Sequence, residues 1–368
     1  MIDFSSWDVN ASDFSADGSD AEKLEFLVHY AVLAPSSHNS QPWLSNLHEN
    51  HIDLIADRSR ALPVVDPFDR ELIISCGAAL ALLQTAALGL GCRSTVHQFP
   101  AAGQPDLLAS FYLDQRQEPS TQDRDLLRAI LIRRTSRLAF GPKPIPVAQQ
   151  QAIVDVAAKA GGRVCWIEEP KDRKRFAELV MAADRAQFEN TPFRRELASW
   201  IRPTRTSSGD GMPAPAIGIE PPASYLAPLV IRTFDLGNGQ AARDEELVRG
   251  SPGILVLTTP PNEAYDWLTC GEALGFILLT AEASGLNASY LNQACEDDDA
   301  RLYLSLMNGF TGTPQIALRL GYGTAVPPTP RRSIAEVLRK KFKPSRKAEH
   351  PPKGKPRGQQ SSMIRRVS

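Results

Sequence analysis

Apolar residues recur at helical spacing at Leu24, Leu27, Val28 and Ala31, which predicts a helix over about 21–33. Pro35 ends it, because the residue before a proline is driven out of the helical region. Residues 52–57 alternate and predict a strand, and charged Asp/Pro turns follow at 57–60 and 66–70. From 71 to 90 the chain is apolar nearly all round, through Ile73, Ile74, Leu80, Leu82 and Leu83. A helix without a polar face belongs inside the molecule. Residues 107–113 read as a strand, and 124–138 as a helix closing on Arg133-Arg134-Thr135-Ser136-Arg137. Pro142, Pro144 and Pro146 separate it from a helix at about 147–160. A strand at 163–168 and a charged helix at 171–188 come next. Residues 202–250 show no periodicity and hold six prolines. A strand at 254–259, an apolar helix at 268–284 and a strand at 315–322 complete the pattern. Such an order predicts an α+β fold, each sheet flanked by helices.

Two of the apolar helices share a further pattern. Cys76-Gly77-Ala78-Ala79-Leu80 and Cys270-Gly271-Glu272-Ala273-Leu274 are offset by 194 residues, as are Ala87 and Ala281, and Gly91 and Gly285. A glycine early in each helix lets another backbone approach, so the two helices are expected to cross there. The chain then reads as two tandem halves, 21–120 and 125–338, joined covalently. Residues 202–250 form a Pro/Gly-rich insert, read as a lid. Residues 1–20 are expected to be a disordered polar N-terminus, and 341–368 a disordered basic tail.

Composition narrows the function classes. The net charge is −1, but the last 28 residues hold nine Lys/Arg against one Glu, leaving 32 basic and 41 acidic groups in residues 1–340. An acidic body argues against a nucleic-acid partner. No apolar run reads as a membrane span, and the acidic start is the opposite of a signal peptide. Five cysteines without a CxxC pair suit a reducing compartment, so a cytoplasmic location is expected. His48-x-x-His51 shows no further ligand nearby and reads as a solvated turn, with no metal implied. There is no Walker sequence, no G-x-S-x-G and no G-x-G-x-x-G, which disfavours nucleotide hydrolases, α/β-hydrolases and typical Rossmann enzymes.

The chemistry gathers in Leu33-Ala-Pro-Ser-Ser-His-Asn-Ser-Gln-Pro-Trp43. Amides donate and accept at once, so Asn39 and Gln41 suit the edge of a planar ligand; a polar turn capping a helix is the plainer alternative. The order Ala-Pro-Ser-x-x-Asn-x-Gln-Pro-Trp resembles the signature of the nitroreductase family of flavoproteins. Within it the chain looks most like the two-repeat, Acg-like branch, where one polypeptide mimics the usual homodimer.

That resemblance implies an FMN cofactor. Pro35, Ser36, Ser37, His38, Asn39 and Gln41 would hold it, His38 either donating to flavin or substrate or merely packing. Arg133, Arg134, Thr135, Ser136 and Arg137 would face the phosphate, joined by Arg331 and Arg332 after Pro327-Pro328-Thr329-Pro330. Such arginines can donate bidentate bonds to a dianion; a solvated helix end is the alternative. Leu291 or Asn292 would offer a backbone N–H to flavin N5, so no catalytic side chain is singled out. The signature loop occurs only in the first half, its counterpart near 157–164 reading Ala-Ala-Lys-Ala-Gly-Gly-Arg-Val. The arginine segment occurs only in the second half, so one complete site per chain is expected. The implied activity is FMN-dependent transfer from NAD(P)H to a nitroaromatic, quinone or similar small acceptor, by a monomer acting as an intramolecular pseudo-dimer. The rival reading is an FMN store whose insert blocks turnover.

Overall fold

The computed structural model describes residues 4–204, 207–307 and 309–341. In the first half, α1 (Asp20–Ala31) starts from a Ser19/Glu22 capping box. It is followed by β1 (Trp43–Leu47), β2 (His51–Ala56), α2 (Arg70–Gly89), β3 (Cys92–Gln98) and β4 (Leu107–Arg116). A connecting helix α3 (Thr121–Ile132) leads to α4 (Val147–Lys159) and β5 (Arg163–Trp166). Then come α5 (Pro170–Glu189), α6 (Thr191–Ser199), β6 (Ile201–Arg202), β7 (Met212–Pro213), α7 (Ala227–Thr233) and α8 (Gly237–Gly250). The chain continues through β8 (Gly253–Thr259), α9 (Ala264–Ala283), β9 (Asn287–Tyr290), α10 (Gln293–Glu296), α11 (Asp298–Ser305) and β10 (Thr313–Gly321). It closes with α12 (Ile334–Val337) and β11 (Leu338–Lys340).

The first sheet runs β11-β1-β2-β4-β3, and the second β5-β8-β10-β9. Without β11 the two orders correspond strand for strand, and every pair in both is antiparallel. β11 pairs parallel to β1, so the end of the chain returns from the second sheet to the first.

Helices α2 and α9 cross between the sheets at their glycines. A Cβ on Gly77 would stand 2.2 Å from the Leu268 carbonyl oxygen, and one on Gly271 2.1 Å from that of Ile74. The two Cα atoms are close enough that only glycine fits at either position. Around the crossing, Leu80, Cys76, Cys270 and Leu268 are fully buried. α2 is long and apolar enough to cross a membrane, contrary to the sequence reading, yet 89% of that apolar stretch is enclosed by protein. It is a core helix.

Three boundaries differ from expectation. Residues 4–20 are held in place: Trp7 is buried, donates from Nε1 to the Thr329 carbonyl at 2.9 Å, and lies under Arg134. A single large aromatic ring buries enough apolar surface to order an otherwise polar segment. Residues 202–250 are no simple loop, since α7 and α8 lie within them, α8 packed along α5. Tertiary packing there overrides glycine-rich, weakly helical sequence. The helix expected over 124–138 stops at Ile132, with Arg133 as its C-cap. Of the expected disordered tail, residues 342–368 lie outside the described residues.

Candidate functional site

The loop between α1 and β1 carries the site, and its backbone is strained. His38, Asn39 and Gln41 all have positive φ, 52°, 54° and 53°, a region costly for residues with a Cβ. Surrounding hydrogen bonds hold them there. Ser36 Oγ accepts from the Gln41 N–H at 2.8 Å. Asn39 Nδ2 donates to the carbonyls of Gly211 (2.9 Å) and Pro330 (3.0 Å), while its Oδ1 accepts from Arg331 Nη1 at 2.9 Å. Gln41 Nε2 donates to the Gly209 carbonyl at 2.9 Å, and its Oε1 accepts from the Arg332 N–H at 2.8 Å. Both amides are therefore committed to protein partners. The ligand-edge role expected from their chemistry is corrected to one of fastening the loop.

Under this loop opens a cavity of about 750 Å³. Pro35, Ser36, Ser37, His38 and Asn39 line it, with Thr135, Arg137, Asn292 and Arg331. Segments some 300 residues apart are thus brought together. Gln41, Arg133, Arg134, Ser136, Leu291 and Arg332 are not on the wall. Arg332 spends its guanidinium on the carbonyls of Gln41, Trp43 and Glu336 and on Asp57. Arg134 lies with Cζ 3.8 Å from the Trp7 ring centroid and donates to the carbonyls of Leu131 and Arg133. Leu291 is buried, and its N–H is taken by the Ala317 carbonyl at 2.9 Å. It has no free N–H to offer, which leaves Asn292 of the expected pair. The Asn292 side chain bridges the halves: Nδ2 donates to Glu71 Oε1 at 3.3 Å and Oδ1 accepts from the Ala317 N–H at 3.1 Å.

The electrostatics favour an anion at one end. Arg133 and Arg331 both donate to the Leu33 carbonyl, at 3.3 and 3.2 Å. Arg133 Nε and Nη1 and Arg331 Nε are buried without a protein partner. Among the described residues, no ion pair engages Arg133, Arg134, Arg137 or Arg331. Burial and then the neighbouring charges of Arg133 and Arg134 lower the Arg331 pKa, as burial does for Arg133 and Arg137. Glu282 is the carboxylate that offsets Arg133 and Arg134 electrostatically, without an ion-pair contact to either. Buried guanidinium donors left unpaired suit an anion such as phosphate. Burial, then Arg137, pushes His38 down to about 4, so its ring is neutral at pH 7, with Nε2 unpartnered.

Carboxyl groups of Glu71, Asp184, Asp244 and Glu296 also line the cavity, and the sequence did not single them out. Glu71, the second residue of α2, accepts from Ser37 Oγ, Arg70 and Asn292. Asp184 of α5 and Asp244 of α8 share the Gln293 amide, at 3.1 and 2.7 Å. Burial and the Asp244 charge push Asp184 up to about 8. Burial and Glu71 do the same for Glu296. A single carboxylate on a helix gives no sequence signal of facing a cavity.

A second cleft of about 700 Å³ lies across the α2/α9 crossing. The 194-residue offset places its Tyr265, Val96 and Gln98 opposite Glu71, Tyr290 and Asn292. Among the described residues no arginine lines it, and a tight turn at Gly161 stands where the signature loop would be.

No protein-family model matches the chain. A Mycobacterium tuberculosis protein named "Putative NAD(P)H nitroreductase" is 32% identical over 325 residues, 87% of this chain and 92% of that one. The same organism's "Putative NAD(P)H nitroreductase acg" is 29% identical over 328 residues, 88% and 97% of the two chains. Among solved structures, the FMN-dependent nitroreductase NfnB of Mycobacterium smegmatis, in complex with NADPH, aligns at 20% identity with a TM-score of 0.38, covering 59% of this chain and 97% of that one. With the signature loop present and a relative above 30% identity matched along nearly its whole length, the chain belongs to the Acg-like branch of the nitroreductase family.

Proposed function

We propose that the chain is an FMN-dependent oxidoreductase that passes electrons from NAD(P)H to a nitroaromatic, quinone or related small acceptor. The observation that carries this reading is the group of buried arginine donors left without a protein partner, and without an ion-pair contact among the described residues, beside the signature loop. Arg137 and Arg331, with the Thr135 hydroxyl, would hold the phosphate, and the buried Arg133 would add its charge. Pro35 to Asn39 would lie along the flavin, and the Asn292 backbone would face its reactive edge. Bound FMN supplies hydride acceptance and donation; the protein supplies position, field and exclusion of water. The second cleft lacks both the arginines and the loop, which supports one FMN per chain and a single polypeptide standing for a dimer. Joining the halves covalently keeps them at high effective concentration.

One observation favours the alternative of an FMN store. Ile217, Ile219, Ile231, Leu236 and Arg243 of the insert line the cavity, so the insert roofs it. Flavin released by heat from the untagged protein should match protein at a one-to-one ratio. Anaerobic stopped-flow mixing with NADH and with NADPH should bleach that flavin. A yellow protein that neither nucleotide reduces would favour the store, and a ratio near two would overturn the single-site reading.

A further inference from the structure

We infer that His48, His51 and Asp53 form a binding site for a divalent transition metal of the zinc type, on the β1–β2 hairpin and apart from the cavity. The hairpin closes with the His48 N–H donating to the His51 carbonyl at 2.8 Å. Side chains two apart on a strand share a face, so His51 and Asp53 point the same way and His48 folds over them. The sequence reading found two imidazoles without a third ligand; the fold supplies it. Asp53 offers one oxygen to each ring: Oδ2 is 3.1 Å from His48 Nε2, and Oδ1 is 3.5 Å from His51 Nε2. The rings are parallel, 3° apart with centroids 4.2 Å apart. One ligand atom from each residue lies within 4.8 Å of the others. Zinc bonds of about 2.0–2.1 Å in a tetrahedron need donors roughly 3.3–3.4 Å apart, so small side-chain shifts suffice.

Two outer contacts prepare the ligands. His51 Nδ1 lies 2.9 Å from Asn50 Oδ1. With Nδ1–H donating there, the Nε2 lone pair is left facing Asp53. Ser110 Oγ, on β4, donates to Asp53 Oδ1 at 2.5 Å and fixes the carboxylate. Such contacts orient metal ligands and raise their basicity. The Tyr112 ring stacks on His51 at 4.9 Å and limits its rotation. All three ligands are partly exposed, 32%, 20% and 16% for His48, His51 and Asp53, so an ion can enter and keep a water in its fourth position. Two imidazoles and one carboxylate select zinc, nickel or copper over magnesium or calcium, which prefer all-oxygen shells.

The test uses the untagged full chain, stripped with chelator and titrated calorimetrically with Zn²⁺. One ion per chain should bind, and excess Mg²⁺ should not displace it. His51→Gln, and separately His48→Gln at the more exposed position, should each weaken binding at least ~10-fold, and Ser110→Ala by ~10-fold. All three should keep the metal-free circular dichroism and melting temperature of the parent. With Cu²⁺ in place of Zn²⁺, paramagnetic resonance should report coupling to two nitrogens. Absence of saturable Zn²⁺ uptake overturns the site. So does uptake that survives in the well-folded double variant His48→Gln/His51→Gln.

Discussion

At the scale of residues, the four arginines divide by what they already hold. Among the described residues, the Arg137 guanidinium hydrogen-bonds Met212 Sδ alone, at 3.6 Å, and it lines the cavity. Arg134 is stacked on Trp7. Arg137→Ala should therefore weaken FMN binding more than riboflavin binding, by roughly 1.5–3 kcal/mol or about ten- to a hundredfold. Arg134→Ala should discriminate little between the two, though it loosens the N-terminal segment. Fluorescence titration of the apoprotein with both flavins measures this; equal discrimination by both variants would move the phosphate away from Arg137. A second residue-scale test concerns Asp184. Its folded pKa of about 8 stands above the ordinary value near 3.8. Folding therefore takes up a proton across that window. The associated stability is complete below about pH 4 and is lost as pH rises through 8. Asp184→Asn keeps the hydrogen-bonding shape and removes the titration. Its melting temperature relative to the parent should rise from pH 4 to pH 8. A difference constant across that range would mean that Asp184 is ionised in the fold.

At the scale of elements, legibility followed how much of a segment's fate is local. α2 and α9 were readable because a helix apolar on every side has only one place to go. The Gly77 and Gly271 repeat even predicted their crossing. β3 was not readable: Cys-Arg-Ser-Thr-Val-His-Gln has exposed polar residues at alternate positions and only isolated apolar ones, Cys92 and Val96. α8 was hidden because its first residues are Gly-Asn-Gly-Gln, and its helicity rests on packing against α5. In the site, the loop 33–43 was legible because its chemistry is contiguous. Glu71, Asp184, Asp244 and Glu296 were not, since four separate helices deliver them. The crossing also gives a clean stability test. Gly77→Ala places a methyl 2.2 Å from a backbone oxygen of α9, whereas Gly285→Ala meets nothing within 4 Å and pays only for its φ of +77°. The first should cost well over the ~1–3 kcal/mol usual for overpacking, the second ~1–2 kcal/mol. Urea titrations compare them directly, and similar losses would mean that the helices separate easily.

At the scale of the whole molecule, roof and holder are one unit. Gly209 and Gly211 of the insert receive the amides of Gln41 and Asn39, and the Gly211 N–H returns a bond to the Asn39 carbonyl at 3.1 Å. Between them, Asp210 is clamped by Arg60 of the first half and by Arg202. Removing 207–223 outright would strip the strained loop of its partners, so it tests folding rather than gating. Asp210→Asn is the gentler probe. It discharges the clamp in which, against burial, the Ser208 hydroxyl and then Arg202 and Arg60 hold the Asp210 carboxyl below its usual range. An enzyme whose roof orients substrate and excludes water should keep its NAD(P)H reduction rate or lose part of it. A store whose roof keeps nicotinamide away should gain rate from a near-zero start, because hydride transfer requires ring contact at roughly 3–3.5 Å. We expect the first outcome, with flavin content unchanged at one per chain. Stopped-flow traces of parent and variant under anaerobic conditions decide it. A variant that reduces readily where the parent does not would establish the roof as a lock.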